Sequence, residues 1–568
     1  MAKYIMILLA IVGSLSRGVL LAQVKLDKVL ESRIDSIFND FESHQKPGGS
    51  IGIVSDGKVI YEKHFGMQNI RKKIPVSNST SFNLASISKQ FTGMCIALLE
   101  EQEKIHLSDD ISKYFPQFQF PDTIKIKNLL DHSSGIRDPE VIAMLAGHVN
   151  LKGELPGKYL TKDFLFNVLS REQDLNFPTG SEMAYTNINY VLLADIVEQV
   201  SGMTFRQFAD SAIFKPLKMK DTYVEDFDKG SNVVGYPKKG KSFKRRVQKN
   251  GLDGESNVIS TLDDLYLWDQ NFYSNILGDK NQNLIDKITT STVLNNGMKS
   301  NYNYGLEIDE YKGMKAISHD GEDFIHTSFI LRIPEQQLSI ICLINSINYI
   351  DPIQESYQVL DLIFDKSSKT DTERSEDSYS TIPFKEIQNK IGGYYRIDQK
   401  GMASYRKILL NDGKLALSYF PKGKGYPFNS LSNNQFLRYN RAGKPYKLTF
   451  KTIDDDSYMI EEFEREPTGS EDWIFKRISE LPFDVNEYVG TYIDKQHGAK
   501  VKIKKRKNKI IAKKSIIKIP LVQFERDCFY SSEYEVLFYF LRDESGKVES
   551  IKVNAIDFRN FGFTKESR

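Results

Sequence analysis

Cysteine is scarce, with three in 568 residues, at Cys95, Cys342 and Cys528. That excludes a disulfide framework. Cys95 and Cys342 sit inside the apolar runs TGMCIALL and LSIICLIN, which predicts buried, unpaired thiols. Tryptophan is rarer still, with two well-separated residues that offer no cofactor box. Charge of one sign is also missing: the formal net charge is +2, so bulk charge points to no nucleic-acid partner. No His/Cys/Asp/Glu cluster has metal-ligand spacing, so neither a metal nor another cofactor is expected. Beyond the first residues, no apolar stretch approaches the roughly 20 residues a membrane-crossing helix needs.

The beginning of the chain is the exception. Lys3, an apolar run from Tyr4 to Leu15, an interruption at Arg17 and a small residue at Ala22 have the texture of a signal peptide over residues 1–22. An uncleaved anchor is the rival reading, weakened by the break at Arg17. The expectation is an exported protein, periplasmic or extracellular; few cysteines suit a bacterial periplasm or cell surface.

The remaining length is enough for several domains. Leu26, Val29, Leu30, Ile34, Ile37 and Phe38 fall at helical spacing within residues 25–46. Two β-rich runs then flank Ser55-Asp56-Gly57-Lys58, and Asp-Gly supplies the positive φ angles of a tight hairpin turn. A long apolar helix is predicted from Ser86 to Glu103, with further helices at 161–170, 187–200 and 262–274. Two β runs follow, at 315–318 and 326–345. Helix, hairpin, helical insert and returning strands make an α+β (α/β sandwich) domain over residues 23–364. The polar stretch DKSSKTDTERSEDSYST marks a linker, residues 365–383.

Beyond the linker, short alternating strands predict all-β modules over residues 384–480 and 481–568, read as small barrels. An internal echo supports two copies: Ile391-Gly392-Gly393-Tyr394 returns 98 positions later as Val489-Gly490-Thr491-Tyr492. One larger sheet domain is the alternative. KVKIKKRKNKIIAKK, residues 500–514, is the densest basic stretch. It reads first as a hairpin with one wet, charged face, and second as a contact for an anionic wall polymer or lipid surface.

Candidate nucleophiles are separated by context. Gly48-Gly49-Ser50-Ile51-Gly52 matches the nucleophile-elbow pattern, but Ser50 opens the first strand of a hairpin rather than a strand-to-helix turn. Ser-x-x-Lys occurs at Ser43/Lys46, Ser55/Lys58, Ser404/Lys407 and Ser515/Lys518 as well as at Ser86/Lys89. Only Ser86 begins a long apolar helix, so Lys89 returns to the same face and its amine can reach the hydroxyl. A lysine held against an apolar helix sheds its proton more readily and becomes a usable base.

FNLASISKQFTGMCIALLEEQEKIHLSDDISKYFPQF resembles the active-site region of the penicillin-recognising serine hydrolases: class C β-lactamases, DD-carboxypeptidases, D-aminopeptidases and related esterases. FPTGSEMAYTNINYVLLADIVEQVSG is similar to their second motif, with Tyr185-Thr186-Asn187 at Tyr-x-Asn; Tyr273-Ser274-Asn275 lacks the preceding turn. SHDGEDFIHTSFILRIPEQQLSIICLIN resembles the third, with His319-Asp320-Gly321 where many relatives carry Lys-Thr-Gly. The likeness covers about residues 45–350. It implies Ser86, Lys89 and Tyr185 as catalytic residues, the last two sharing one proton. It further implies Asn187, His319, Gly321 and Glu322 as substrate-binding positions, with an oxyanion hole at the backbone N–H groups of Ser86 and Glu322. An imidazole at 319 has an ordinary pKa near 6.5, so its attraction for a substrate carboxylate is weaker than a lysine's and pH-dependent. His-x-Gly and the β modules resemble DD-peptidase and D-aminopeptidase members, and Phe324-Ile325 is expected to narrow the pocket.

Three readings stay open: a peptidase or esterase acting on a small or peptide substrate, one derived from the cell wall among them; a β-lactamase; and a slowly turning-over penicillin-binding sensor or scaffold. The sequence leaves the oligomeric state open. His132 reads as a residue that ties down its loop, His326 as packed or exposed, and Asp253-Gly254-Glu255 as a turn first, a pocket element second.

Overall fold

The computed structural model describes residues 26–43, 45–146, 161–226, 233–240, 242–248, 251–364 and 384–566, the last span apart from 398–402, 412–413, 419–425, 440–444, 455, 464–472, 479–483, 507–508, 515–516, 532–535 and 556–557. The expected signal peptide and linker lie outside the described residues. No helix of the described residues is long and apolar enough to cross a membrane.

Helix α1, Lys28–Phe38, starts where the Asp27 carboxylate accepts the Leu30 N–H at 2.8 Å. It ends well before residue 46, in a short 3₁₀ turn at Asn39–Phe41. Strands β1 (Gly49–Ser55) and β2 (Lys58–Phe65) form the expected hairpin, with Asp56 at φ 49° and Gly57 at 71°. After an insert of helices, α2 (Ser88–Glu101) and α3 (Ile188–Ser201) foremost, the chain returns as β3 (Tyr302–Asn303), β4 (Leu306–Tyr311), β5 (Met314–Glu322), β6 (Thr327–Ile333) and β7 (Leu338–Ile344). The 326–345 run is therefore a hairpin, not one strand, because Pro334–Gln336 forms a turn that breaks the ladder. Together these strands make one antiparallel sheet in the order β3-β4-β5-β6-β7-β1-β2.

Both faces of the sheet are covered, which explains why β1, β6 and β7 are buried at every position. On one face, Leu30, Ile34 and Phe38 of α1 and Val359, Leu360 and Ile363 of α4 (Pro352–Phe364) pack on Ile51, Ile53, Phe329 and Leu331. On the other, Ile330, Ile341 and Leu343 join the core built around α2, whose residues Ser88 to Leu99 are all buried. Cys95 and Cys342 are buried free thiols, and Cys528 is half-buried.

The C-terminal half is all strand. Nine strands within residues 392–477 form one sheet whose order begins at β8 (Tyr426–Pro427) and ends at β9 (Asn429–Ser432). Phe428 alone separates those two, so the ends of the sheet are the halves of one bent strand, and the module is barrel-like. Eight strands within residues 490–565 form a closed barrel. Tyr394 and Tyr492, the echoed tyrosines, are both buried, and each hydroxyl donates to the carbonyl four residues earlier: Lys390 at 2.9 Å and Tyr488 at 2.8 Å. The second barrel docks on the first domain. Arg559 donates to Glu182 at 2.7 Å and to Asn176 Oδ1 through its backbone at 2.8 Å, and it lies over the Phe177 ring. The Gln496 side-chain amide donates to the Arg171 carbonyl.

Candidate active site

The chain turns sharply before α2. Asn83 Oδ1 accepts the Ala85 N–H at 2.9 Å, and Ala85 takes φ 48°, a left-handed conformation that costs a non-glycine residue roughly 1 kcal/mol. The 3₁₀ turn Ala85–Ile87 then leads into α2. Between Phe82 and Gln90, Ser86 is the one residue not buried. Its hydroxyl faces the interior partner the spacing predicts: Lys89 Nζ is 3.1 Å from Ser86 Oγ.

Lys89 is fully buried. Its ammonium protons are directed at Ser86 Oγ, at Asn187 Oδ1 (2.9 Å) and at the Glu255 carbonyl (3.0 Å), with the Glu255 carboxylate at 3.8 Å. Burial lowers its pKa to about 8, against the pull of Glu255, Glu140, Asp138 and Asp320. Tyr185 stacks its ring 5.0 Å from the same ammonium. Its hydroxyl is buried and makes no hydrogen bond of normal geometry. Burial holds this phenol well above its ordinary value; its proximity to Ser86 lowers it, and Glu255, Asp320 and Glu307 raise it. The expected shared proton therefore rests on Tyr185, and Lys89 is the member able to be neutral near pH 8. The ammonium's preference for a phenolate is outweighed by desolvation and the surrounding carboxylates.

The second motif is held from behind. Asn187 caps the start of α3, and its backbone N–H reaches Asp138 Oδ2 at 3.3 Å, where the Thr186 hydroxyl also donates at 2.9 Å. His132 ties its loop down, as its sequence context implies. Its Nδ1 accepts the Thr186 N–H at 3.3 Å and lies 3.2 Å from Asn189 Nδ2, and its backbone carbonyl accepts Ala184 N–H at 3.0 Å. Burial, with Lys89 and His319 nearby, drives the His132 pKa well below 6.5, so the ring is neutral.

The third motif runs along β5. Gly321 has no room for a side chain: a Cβ would sit 2.1 Å from the Leu84 carbonyl oxygen and 2.5 Å from Ser328 Oγ. The strand thus lies directly against the turn that carries Ser86. Glu322 ends β5, exposed, opposite Thr327. His319 departs from expectation. It is buried, with Nε2 2.8 Å from the Tyr302 hydroxyl and Nδ1 bonded to the Asp320 carbonyl. A carbonyl only accepts, so Nδ1 carries the proton and Nε2 takes the tyrosine's. Both nitrogens are spent inside the protein, so the ring offers no free donor to a substrate. Burial moves its pKa to about 4, rather than leaving it near 6.5. Phe324 is exposed, and Ile325 turns inward against Gly235. His326 is buried beside Phe82, with Nδ1 3.8 Å from Asp323 Oδ2 and neither ring nitrogen hydrogen-bonded.

Sequence reasoning missed Glu140 and Asp138 and gave Glu255 a place in the pocket only as its second reading. Glu255 belongs to the site rather than to a simple turn, and Glu140 and Asp138 stand behind it. Burial raises the pKa of all three, and Asp138 and Glu255 push Glu140 up further still. Glu307, on the far flank, is raised to about 7, first by burial and then by Asp320. The one signal available was the unusual acid in DGESN. The rejected Ser50 has a hydrogen-bonded row of its own, to His64 at 2.8 Å and on to Glu62 at 3.0 Å. Ser50 is fully buried, so no substrate carbonyl can reach it.

Similarity to known proteins fits this geometry. The Beta-lactamase family model matches residues 26–355. The chain is 26% identical over 303 residues to a D-aminopeptidase of Gluconobacter oxydans, covering 53% of this chain and 56% of that one. It is 29% identical over 333 residues to the protein flp of Staphylococcus aureus, covering 56% and 63%. The chain therefore spans less than two thirds of the length of either relative. The fold matches that of an octameric penicillin-binding protein homologue from Pyrococcus abyssi, with a TM-score of 0.52 at 23% identity, over 79% of this chain and 99% of the other.

Proposed function

The chain belongs to the beta-lactamase family of serine hydrolases, and from that premise we propose that it hydrolyses amides or esters through an acyl-enzyme on Ser86, as a peptidase or esterase rather than a β-lactamase. The observation that carries this reading is Lys89 Nζ, 3.1 Å from Ser86 Oγ in a pocket that lowers its pKa to about 8. Neutral Lys89 takes the Ser86 proton as Oγ attacks the substrate carbonyl. The oxyanion is received by the backbone N–H groups of Ser86 and Glu322. Tyr185, still protonated, gives its proton to the departing nitrogen or oxygen and is reprotonated from the Lys89 ammonium. Water then enters by the reverse route and frees the acid. Asn187 keeps Lys89 aimed at Ser86 throughout.

Substrate class follows from charge. Glu255, Glu140, Asp138 and Asp320 act on Lys89, and Asp320 and Glu307 act on Tyr185. His319 is neutral and occupied. With no cation at position 319 to receive it, the carboxylate of a β-lactam or of a free peptide C-terminus is poorly matched, and a neutral or amine-bearing acyl group suits the pocket better. The D-aminopeptidase relative is consistent with that choice. The same reading takes the protein to be exported, on the strength of Lys3 and the apolar run Tyr4 to Leu15; a purified mature form beginning after Ala22 is the expected product.

The test is intact-mass kinetics with a chromogenic ester, a D-amino-acid amide and a penicillin, on the protein and on Ser86→Ala. Turnover of the amide or ester, lost in Ser86→Ala, is expected. Fast penicillin turnover would move the assignment to a β-lactamase, a lasting adduct would move it to a sensor, and unchanged activity in Ser86→Ala would overturn the mechanism.

A further inference from the structure

The second barrel carries a face that the hydrolase does not use. From Lys500 to Lys518 the chain has ten lysines and arginines and no acidic residue, although the whole protein has a net charge of only +2. Strand β10, Lys500–Arg506, alternates inward Val501 and Ile503 with outward Lys500, Lys502 and Lys504, and ends on exposed Lys505 and Arg506. Its partner β11, Lys509–Lys514, sets Lys513 opposite Lys502, and β12, Ile517–Glu525, sets Lys518 opposite Lys513. Lys502, Lys513 and Lys518 thus form one row across three strands, with a step of about 4.8 Å.

Like charges directly opposed on neighbouring strands destabilise a sheet, and here nothing in the fold relieves them. Lys500 pairs with Glu566 at 3.4 Å. Among the described residues, Lys502, Lys504, Lys505, Arg506, Lys513 and Lys518 have no carboxylate within ion-pair distance. At its Lys502 end the row meets a concave groove of about 740 Å³, lined by Thr491, Lys495, Lys504, Lys565 and Glu566, the last being the carboxylate that Lys500 pairs with.

We propose that this face binds a linear phosphate-bearing polyanion, one strand of polymer lying along the lysine row and in the groove. Charge complementarity chooses an anion, and the regular row chooses one with closely repeated charges. The groove favours a chain over a flat bilayer. Outward positions beside the row are Ile511, Pro520, Thr491 and Thr564, so the described face has no aromatic ring on which a nucleic-acid base could stack. The polymer is therefore held by its backbone charge alone.

The probe is fluorescently labelled inorganic polyphosphate, titrated into the full chain from about 50 to about 200 mM salt. Six unpaired cations give a log–log salt slope of about −4, a loss of about 250-fold across that range. Neutralising the row in Lys502→Gln/Lys513→Gln/Lys518→Gln brings the slope to about −2 and weakens binding about a hundredfold at 0.1 M salt. Ester hydrolysis at Ser86 should be unchanged in this variant, which also shows that it folds. The control Lys72→Gln/Lys73→Gln removes exposed charge from the first domain and should keep full binding. No polyphosphate binding at low salt, or equal loss in the control, overturns the proposal. Binding of phosphatidylglycerol vesicles without polyphosphate overturns it in favour of a membrane surface, and preference for an oligonucleotide overturns it in favour of nucleic acid.

Discussion

Glu255→Gln should move the pH dependence of catalysis toward acid. The Glu255 carboxylate lies 3.8 Å from Lys89 Nζ and favours the charged lysine, while burial opposes it and sets the pKa at about 8. At an effective dielectric of about 20, two charges at that distance interact by about 4 kcal/mol. Glu255 is itself reluctant to ionise, because burial raises its pKa. Taking half of that interaction as a lower figure leaves about 2 kcal/mol, or about 1.5 pH units. Lys89 must be neutral to accept the Ser86 proton, so activity rises as pH climbs through its pKa. In the parent protein that ascending limb of kcat/KM falls near pH 8; in Glu255→Gln it should fall near about 6.5. The share of enzyme with neutral Lys89 at pH 7 then grows from about a tenth to about three-quarters. A pH profile of kcat/KM with a chromogenic ester reads the limb directly, because kcat/KM reports the free enzyme. The glutamine keeps the Glu255 backbone carbonyl that accepts from Lys89, so geometry is preserved. A limb that stays at pH 8 or moves upward would refute the assignment of Lys89 as the base.

Gly321→Ala puts a methyl group 2.1 Å from the Leu84 carbonyl, so β5 must retreat by about an ångström from the Ser86 turn; kcat/KM should fall about a hundredfold, and stability should drop by about 1–3 kcal/mol in a thermal melt. Arg559→Glu sets two carboxylates together where Arg559 and Glu182 now meet at 2.7 Å, and it should cost about 2 kcal/mol in thermal stability and also lower kcat/KM. The exchange Arg559→Glu/Glu182→Arg should recover most of both, and a double variant no better than the single would show that the pair does not couple barrel to site.

Local signals were legible in the sequence wherever chemistry acts within a few residues. Asp56-Gly57 marks the hairpin, and Ser86 with Lys89 one helical turn. The second and third motifs could be located too, through their resemblance to those of a known family. What lay hidden was decided by long-range approach. Glu255 reaches Lys89 across 166 positions, and nothing in DGES says which acid will do so. His319 offers its ordinary pKa to a reader of the sequence, but its burial and its bond to Tyr302, 17 residues earlier, exist only in the folded chain. The basic stretch likewise reads as one charged hairpin, and only the strand register shows that Lys502, Lys513 and Lys518 share a row.

The bend at Phe428 gives the two C-terminal barrels different weak points. The first is sealed from its middle, since the halves of one bent strand serve as both margins of its sheet. The second is sealed by its outermost strands, where Tyr492 and Ile493 meet Lys565 and Thr564. A protease cut beside Phe428 would divide the first module into two sets of strands held together only where Tyr394 and Tyr395 meet Arg477 and Lys476. Losing the final strand would open the second barrel and remove Arg559, its grip on the hydrolase domain, while leaving the first barrel shut.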